Sequence, residues 1–502
     1  MKLLSLRFRH AAIISLIIIT LSTVHAESDA QSRASFIENW HALENAVIDS
    51  FHSLVDTFQD IFHVAHHTAP KFNYDVTLVG FVNPGDGIGN HPILFKECLG
   101  PDIKVNFLST RDIPPHIEDA ALGLPRLNPS EIKNIGAISI LTDILADQAL
   151  NLYKLVPESH IKIAYTMFES TEIPRKWVAI LNNKFDMAVV PDPFLVEVYK
   201  RCGVQIPIFV LPLPLKLHDF LKVKPQSAPH KPFTFGLTGG FWGRKNHIRV
   251  LEAFAAEFGN CKDVKLRLHG RFGEEVIIKE LTDKIKEYNL SNVELIVKPY
   301  SREEYVDFFK TLDSYVFLST GEGFSITPRE ALACGMPCIL TNNTAQTSIC
   351  NSGMVRVVPA NVPVPAMYDC HDDATHYGFN YLRNFNYVRN FELLNKISAT
   401  GDDEFLDNEY RMVQIGTQFD CTVQDAREAM RDVYKHYDQY KGRADVGREW
   451  VKRYLRENLS KQYMSLVKPA SIALAQENII GDTFLMTNSP ELYAKYQYLL
   501  GK

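Results

Sequence analysis

The sequence predicts an α/β chain of two doubly wound domains that face each other across a cleft, and three observations carry that expectation. Short apolar runs alternate with helical stretches in two successive series. A proline-rich segment separates the series, and each opens on a glycine-rich turn after its first strand. At 502 residues the chain also exceeds what one hydrophobic core organises.

In the first series Val76–Val82, Ile103–Leu108, Ile135–Leu141, Ile161–Thr166, Met187–Val190 and Ile206–Leu211 read as buried parallel strands. Lys176–Asn182 and Pro193–Arg201 read as helices between them. Pro212, Pro214, Pro225, Pro229 and Pro232 crowd the stretch that follows, which makes 216–231 the linker between a first domain at 74–215 and a second at 232–440. The second series runs Phe233–Thr238, Val264–His269, Val293–Val297, Tyr315–Leu318, Pro337–Thr341 and Val355–Val358. Val250, Leu251, Phe254, Ala255 and Phe258 form a helical stripe that stops at Gly259, a suitable C-terminal cap. The alternation lapses over about 377–408, read as an insertion. Helices resume through Val423–Lys441 and Gly447–Val467, and residues 441–502 are expected to pack back toward the first domain. In sheets of this kind ligands bind outside the carboxyl ends of the strands.

Composition narrows the function. With 46% hydrophobic and 22% charged residues the chain is ordinary globular protein, and a net charge of -6 argues against a general nucleic-acid binder. Lys2, Arg7 and Arg9 precede an apolar run over residues 11–24 and the small-x-small pattern Val24-His25-Ala26, the layout of a secretory signal peptide at 1–26. A membrane anchor is the rival reading, but the run falls short of the ~20 residues that span a bilayer. Export to a secreted, periplasmic or lumenal site is therefore expected, with a helical lead segment over 27–73. The eight cysteines show neither a small disulfide scaffold nor a zinc spacing, and no metal ligand set is expected.

The chemistry concentrates in Ser319-Thr-Gly-Glu-Gly-Phe-Ser-Ile-Thr-Pro-Arg-Glu-Ala-Leu-Ala-Cys-Gly-Met-Pro. A strand runs into a loop whose Gly321 and Gly323 permit close backbone approach, and N–H groups at the new helix terminus suit a phosphate. Glu322 and Glu330 are poorly suited to phosphate and well suited to sugar hydroxyls. One loop thus offers donors to a diphosphate and acceptors to two sugars. For Glu330 a second reading stands beside this one: Thr327-Pro328-Arg329-Glu330 has the form of a capping box. A second motif, Gly239-Gly240-Phe241-Trp242-Gly243-Arg244-Lys245-Asn246, places two cations on a strand-to-helix turn, suited to a pyrophosphate. Cations there oppose the helix dipole, which disfavours a purely solvated role.

These two motifs resemble the paired-glutamate signature and donor loop of retaining glycosyltransferase family 4 (glycosyl transferase group 1), enzymes of the GT-B fold with two Rossmann-like domains. The resemblance implies a nucleoside diphosphate sugar as co-substrate, with no separate cofactor and no metal. It places Glu322 on the transferred sugar and Glu330 on the ribose. Gly323, Phe324 and Ser325 would present N–H groups to the donor, and Gly240, Arg244 and Lys245 would lie at the diphosphate. Where many members carry a glycine-arginine pair, this chain has Gly240, so the second cation role passes to Arg244.

The first domain would then bind the acceptor. Gly85, Gly87 and Gly89 form a cleft loop or a plain tight turn, and lack the dinucleotide spacing. Tyr165-Thr-Met-Phe-Glu-Ser-Thr-Glu-Ile-Pro-Arg-Lys-Trp resembles a subset of the family and puts Glu169 at a strand end, either on the acceptor or as a cap for the next helix. The implied activity is transfer of a hexose-type sugar to a hydroxyl acceptor (glycan, lipid or protein). A silent sugar- or nucleotide-binding protein on the same scaffold and a sugar-nucleotide epimerase are its rivals. If the leader is cleaved, N-terminal sequencing of protein from its native source will begin near Glu27; an intact Met1–Ala26 would refute export by this route.

Overall fold

The computed structural model describes residues 72–82, 89–110, 135–145, 152–369, 380–381, 412–468 and 495. The chain divides after Lys71 into two units. The expected signal peptide, nearly all of the lead segment, Gly85, Gly87 and all of 377–408 except Asn380 and Tyr381 lie outside the described residues.

The first domain is a six-stranded, all-parallel sheet in the order β2-β1-β3-β4-β5-β6. Its strands are β1 (Tyr74–Gly80), β2 (Val105–Ser109), β3 (Gly136–Leu141), β4 (Ile161–Tyr165), β5 (Met187–Val190) and β6 (Ile208–Val210). Helices α1 (His91–Leu99), α2 (Arg175–Lys184) and α3 (Pro193–Arg201) accompany them. The strands read as continuous apolar runs because both faces are covered. Val76, Leu78, Ile138, Ile140, Ile163 and Val189 enter one core, while Val79, Leu141, Ala164, Ala188 and Val190 enter another.

The second domain repeats the architecture in the order β12-β11-β10-β7-β8-β9. It comprises β7 (Phe233–Thr238), β8 (Val264–Gly270), β9 (Val293–Val297), β10 (Ser314–Phe317), β11 (Cys338–Asn342) and β12 (Arg356–Pro359). Its helices are α4 (His247–Phe258), α5 (Glu275–Glu287), α6 (Arg302–Lys310) and α7 (Ile326–Ala333). The two sheets are the Rossmann-like halves of a GT-B fold.

Three features depart from the sequence expectation. The linker is an integral part of the fold: Leu217 and Phe220 are buried within it, and just ahead of it Leu213 and Leu215 are buried too, with Leu215 N donating to Tyr454 O. The C-terminal helices break at His436 and again at Val451–Tyr454, giving α8 (Val423–Lys435), α9 (Tyr437–Trp450) and α10 (Arg456–Ser465). Of these α10 lies against α1, where Tyr463 meets Phe95 edge-on at 4.6 Å and Arg456 pairs with Glu97. The third departure is an antiparallel sheet, in the order β14-β13-β15, that flanks the insertion.

That sheet consists of β13 (Val362–Asp369), β14 (Asn380–Tyr381) and β15 (Met412–Asp420). It belongs in sequence to the second half of the chain yet packs on the first domain: Ala366, Tyr368 and Ile415 join the core of Phe168, Trp177 and Val190. Phe168 touches the Tyr368 ring at 4.9 Å. Aromatic pairs of this kind contribute about 0.5–1.5 kcal/mol beyond area burial. A double-mutant stability cycle of Phe168→Leu and Tyr368→Leu should return a coupling of that size, and additive effects would mean that the sheet does not dock there.

Candidate active site

Both sequence motifs leave the second sheet at the point where its strand order reverses. β7 and β10 are adjacent, but β7 leads outward to β8 and β10 leads the other way to β11, so their loops diverge and open a crevice. The β7 loop turns tightly. A Cβ on Gly240 would lie 2.5 Å from the Trp242 indole nitrogen, so this glycine is required by the turn itself. A single 3-10 turn, Gly243–Lys245, ends at Asn246 in the left-handed region (φ 59°), a conformation asparagine tolerates. Asn246 Nδ2 donates to Leu318 O (3.1 Å) and to Asp420 Oδ1 (2.6 Å), which ties this loop to the end of β10 and to β15.

Glu322, on the β10 loop, is the centre of the site. Three donors converge on its Oε1: Arg244 Nη1 at 2.6 Å, Lys245 Nζ at 2.7 Å and Ser319 Oγ at 2.6 Å. Glu322 N donates to Thr344 Oγ1 (2.8 Å), and Arg244 Nη1 also reaches Gly321 O (2.9 Å). Arg244 Nη2 crosses to the first domain and meets Glu169 Oε1 at 3.2 Å. Two cations thus face two carboxylates, all with side chains at most 16% exposed, where an unmatched charge would be costly. Burial pushes the Glu322 carboxyl upward, but Arg244 and Lys245 reverse this and hold it below the ordinary carboxylate value. Burial together with the Arg244 charge pushes the Lys245 ammonium down to about 8.

The loop glycines serve the contact between domains. A Cβ on Gly321 would fall 2.2 Å from Glu169 O, and one on Gly323 would press on the Met167 side chain at 3.1 Å. The close approach expected at these glycines is therefore made by the first domain's own strand end. Phe324 is buried against Tyr454 (5.6 Å), and Ser325 takes φ 67°, rare for a residue with a side chain, as α7 begins. The buried Arg329 guanidinium lies against both the Phe324 and Tyr454 rings and donates to Phe324 O and to Ser325 O (2.8 Å), which holds that turn.

The capping-box reading of Glu330 is corrected. α7 starts at Ile326 with Ser325 at the cap position and no side-chain cap. Thr327 Oγ1 lies instead 2.7 Å from the Tyr315 hydroxyl, and Tyr305 donates to Glu330 Oε2 at 2.8 Å. The left-handed Ser325 starts the helix before Thr327 can cap it, and two tyrosines from neighbouring elements take both partners of the expected box. The cap reading of Glu169 also fails, since the N-terminus of α2 has no side-chain cap and Glu169 faces Arg244. Of the first-domain glycine loop only Gly89 is described; it forms a buried turn ahead of α1.

Sequence reasoning missed Ser319, Thr344, Tyr305, Asp420, Gln418 and His269. His269 sits at the carboxyl end of β8, stacked on Tyr300 at 3.9 Å. Its Nε2 donates to Lys298 O (3.0 Å), which leaves Nδ1 to accept from Thr238 Oγ1 (2.7 Å). Only its place at a strand end could have signalled it; the others are ordinary polar residues whose roles depend on partners far along the chain. A cavity of about 280 Å³, lined by Lys222, Gln226, Asp313, Cys334 and Tyr437 among others, opens near the amino ends of β10 and β11. It takes in none of Arg244, Lys245, Glu322 and Glu330.

Residues 220–361 match the family model described as glycosyl transferases group 1. The match spans the whole of the second six-stranded sheet. That family segment carries β7 to β12, Arg244, Lys245, Glu322 and Glu330. Among solved structures, HepE of Anabaena in complex with UDP and glucose is 11% identical, with TM-score 0.52 over 78% of this chain and 99% of that one. A glycosyltransferase from Rickettsia africae ESF-5 is 12% identical, with TM-score 0.53 over 81% and 100%. The chain spans little more than half, 56%, of the pneumococcal O-GlcNAc transferase GtfA in complex with UDP and GlcNAc, covering 66% of itself at 12% identity and TM-score 0.44. The likenesses to HepE and to the Rickettsia enzyme establish the shared fold. A sequence comparison with curated proteins finds no match.

Burial raises the Glu330 carboxyl to about 7, against the Tyr305 hydroxyl and the Arg302 charge, which favour its ionised form. A carboxyl raised in the folded state destabilises as pH climbs from its unfolded value toward the folded one. Glu330→Gln cannot ionise, so it should be more stable than wild type at pH 8, by on the order of a few kcal/mol and with a higher melting temperature, and match it below about pH 4.5. Equal melting temperatures across that range would show that Glu330 titrates normally.

Proposed function

We propose that this protein is a retaining glycosyltransferase that moves a hexose-type sugar from a nucleoside diphosphate donor to a hydroxyl acceptor without a metal. The observation that carries the reading is the Glu322 cluster: a carboxylate, two cations and a first-domain carboxylate meet at the strand-order reversal of a group 1 glycosyl transferase domain. A nucleoside diphosphate entering the crevice brings negative charge to Arg244 and Lys245, which frees Glu322 to accept from sugar hydroxyls through either oxygen. HepE, of the same fold, binds UDP-glucose, which makes a uridine donor the first to test.

In the proposed reaction the bond between the anomeric carbon and the diphosphate oxygen breaks, and the leaving diphosphate gathers charge. Arg244 and Lys245 neutralise that charge as it develops, the part a metal plays in other transferases. Glu322 and Glu330 hold the sugar and the ribose. The acceptor hydroxyl attacks from the face the diphosphate leaves, so configuration is retained and no sugar is linked to the protein. Glu169, on the first-domain side, orients the acceptor or takes its proton.

Purified protein should release nucleoside diphosphate from at least one member of a panel of uridine, guanosine and adenosine diphosphate sugars. Lys245→Ala should slow that release about a hundredfold to a thousandfold, for a loss of ~2.7–4 kcal/mol of transition-state stabilisation. In the wild type, kcat/KM should rise with pH through about 7 as Glu330 ionises, and fall above about 8 as Lys245 loses its proton. Donor binding without release would leave a binding protein, and wild-type turnover in Lys245→Ala would put the diphosphate elsewhere.

A further inference from the structure

We propose that Gln418 is a positioning residue that couples the two halves of the active site, holding Glu169 of the first domain against the Glu322 loop of the second. The inference rests on the transferase reading above and assigns a task to the antiparallel sheet that flanks the insertion.

Gln418 lies on β15 and is 3% exposed. Its Nε2 donates to Glu169 O at 3.1 Å, and its Oε1 accepts from Thr320 Oγ1 at 2.9 Å. Glu169 O can only accept, so the amide nitrogen must face the first domain and the amide oxygen the second. One planar group therefore spans both. The backbone around it repeats the bridge. Phe419 N donates to Thr320 O (2.9 Å), while on the other side Thr171 N donates to Thr417 O (3.1 Å) and Thr417 N to Thr171 Oγ1 (2.9 Å). Ser170 Oγ adds a bond to Ile415 O at 2.6 Å.

At the crossing point the chains are in contact. The space a Cβ on Gly321 would need is filled by Glu169 O and by Gln418 Cγ, 3.0 Å away. Glu169 reaches Arg244 because its backbone is held at this place, and Gln418 is the side chain that bonds both its carbonyl and the Glu322 loop. The donor-side groups have other anchors. Ser319 and Thr344 fix Glu322, and Asp420 fixes the Arg244 loop through Asn246. Loss of the amide should thus disturb the first-domain carboxylate and spare the donor site.

Gln418→Glu tests this with little change of shape. It keeps an acceptor for Thr320 but sets a carboxylate oxygen against Glu169 O, where a donor is needed. With UDP-glucose, or whichever panel donor the wild type consumes, kcat for nucleotide release should fall at least tenfold while KM and the calorimetric affinity for UDP stay within about twofold. Unchanged kcat would overturn the proposal, and so would a joint loss of kcat and UDP affinity, which marks a merely structural role. A second measurement needs no turnover. The melting-temperature loss caused by Glu169→Gln should be smaller in a Gln418→Met background than in wild type, because the Glu169–Arg244 contact is already loosened there. Equal losses would refute the coupling. If the wild type consumes no donor the transferase reading fails, and the melting comparison still decides whether Gln418 holds Glu169.

Discussion

The structure depends on one carboxylate oxygen. Glu322 Oε1 accepts from Arg244, Lys245 and Ser319, and each of those bonds fixes something larger. Through Arg244 it joins the loops after β7 and β10 and reaches across to Glu169. Through Lys245 it keeps a buried ammonium charged, although burial and a neighbouring guanidinium both act against that charge. A carboxylate with two cations on one oxygen is a stable resting arrangement and also an exchangeable one. In the proposed reaction a polyanion that binds the cations takes over their charge and leaves the carboxylate ready for hydroxyl groups.

Much of the surrounding fold makes this exchange local. The β7 loop is pinned by Asn246 to Asp420 and to Leu318, and Thr344, itself in the left-handed region at φ 42°, takes the Glu322 backbone N–H. Ser325 is held at positive φ by the buried Arg329, which lies against two rings. Strained backbone of this sort persists where the surroundings over-determine it, and here it lies on either side of Glu322. The same rigidity keeps the Glu330 carboxyl buried under Tyr305, poised to ionise near neutral pH.

Closure between the domains has its own device. In sequence, β13 and β15 follow the second sheet, yet their apolar side chains complete the first domain's core, and their backbone bridges Ser170–Thr171 to Thr320. The later part of the chain returns to the first domain also through α10 against α1 and through Leu215 bound to Tyr454 O. Gly321 is small because the first domain's backbone must lie against it, a requirement invisible until both domains are in place.

The two sheets were legible from the residues alone because their strands are covered on both faces, which forces continuous apolar runs such as Ile161–Tyr165 and Phe233–Thr238. Glu322, Arg244 and Lys245 stood out because they sit on the two loops where a parallel sheet of this order binds ligands, and Glu330 because it stands in the helix that follows the second loop, all marked by glycines and by charge where burial would otherwise exclude it. The antiparallel sheet was not, since Pro363 and Pro365 argue against a strand and its partner β15 lies beyond the insertion. Nor could any local pattern decide between cap and ligand for Glu330 or Glu169, because both readings use the same residues at the same spacing. Sequence alone determined which residues carry the charge and on which loops they stand. Only the tertiary structure decided which of them meet, because a hydrogen bond depends on distance in space, and Glu169, Arg244, Glu322 and Gln418 come within reach of one another only once two domains and a distant strand have packed.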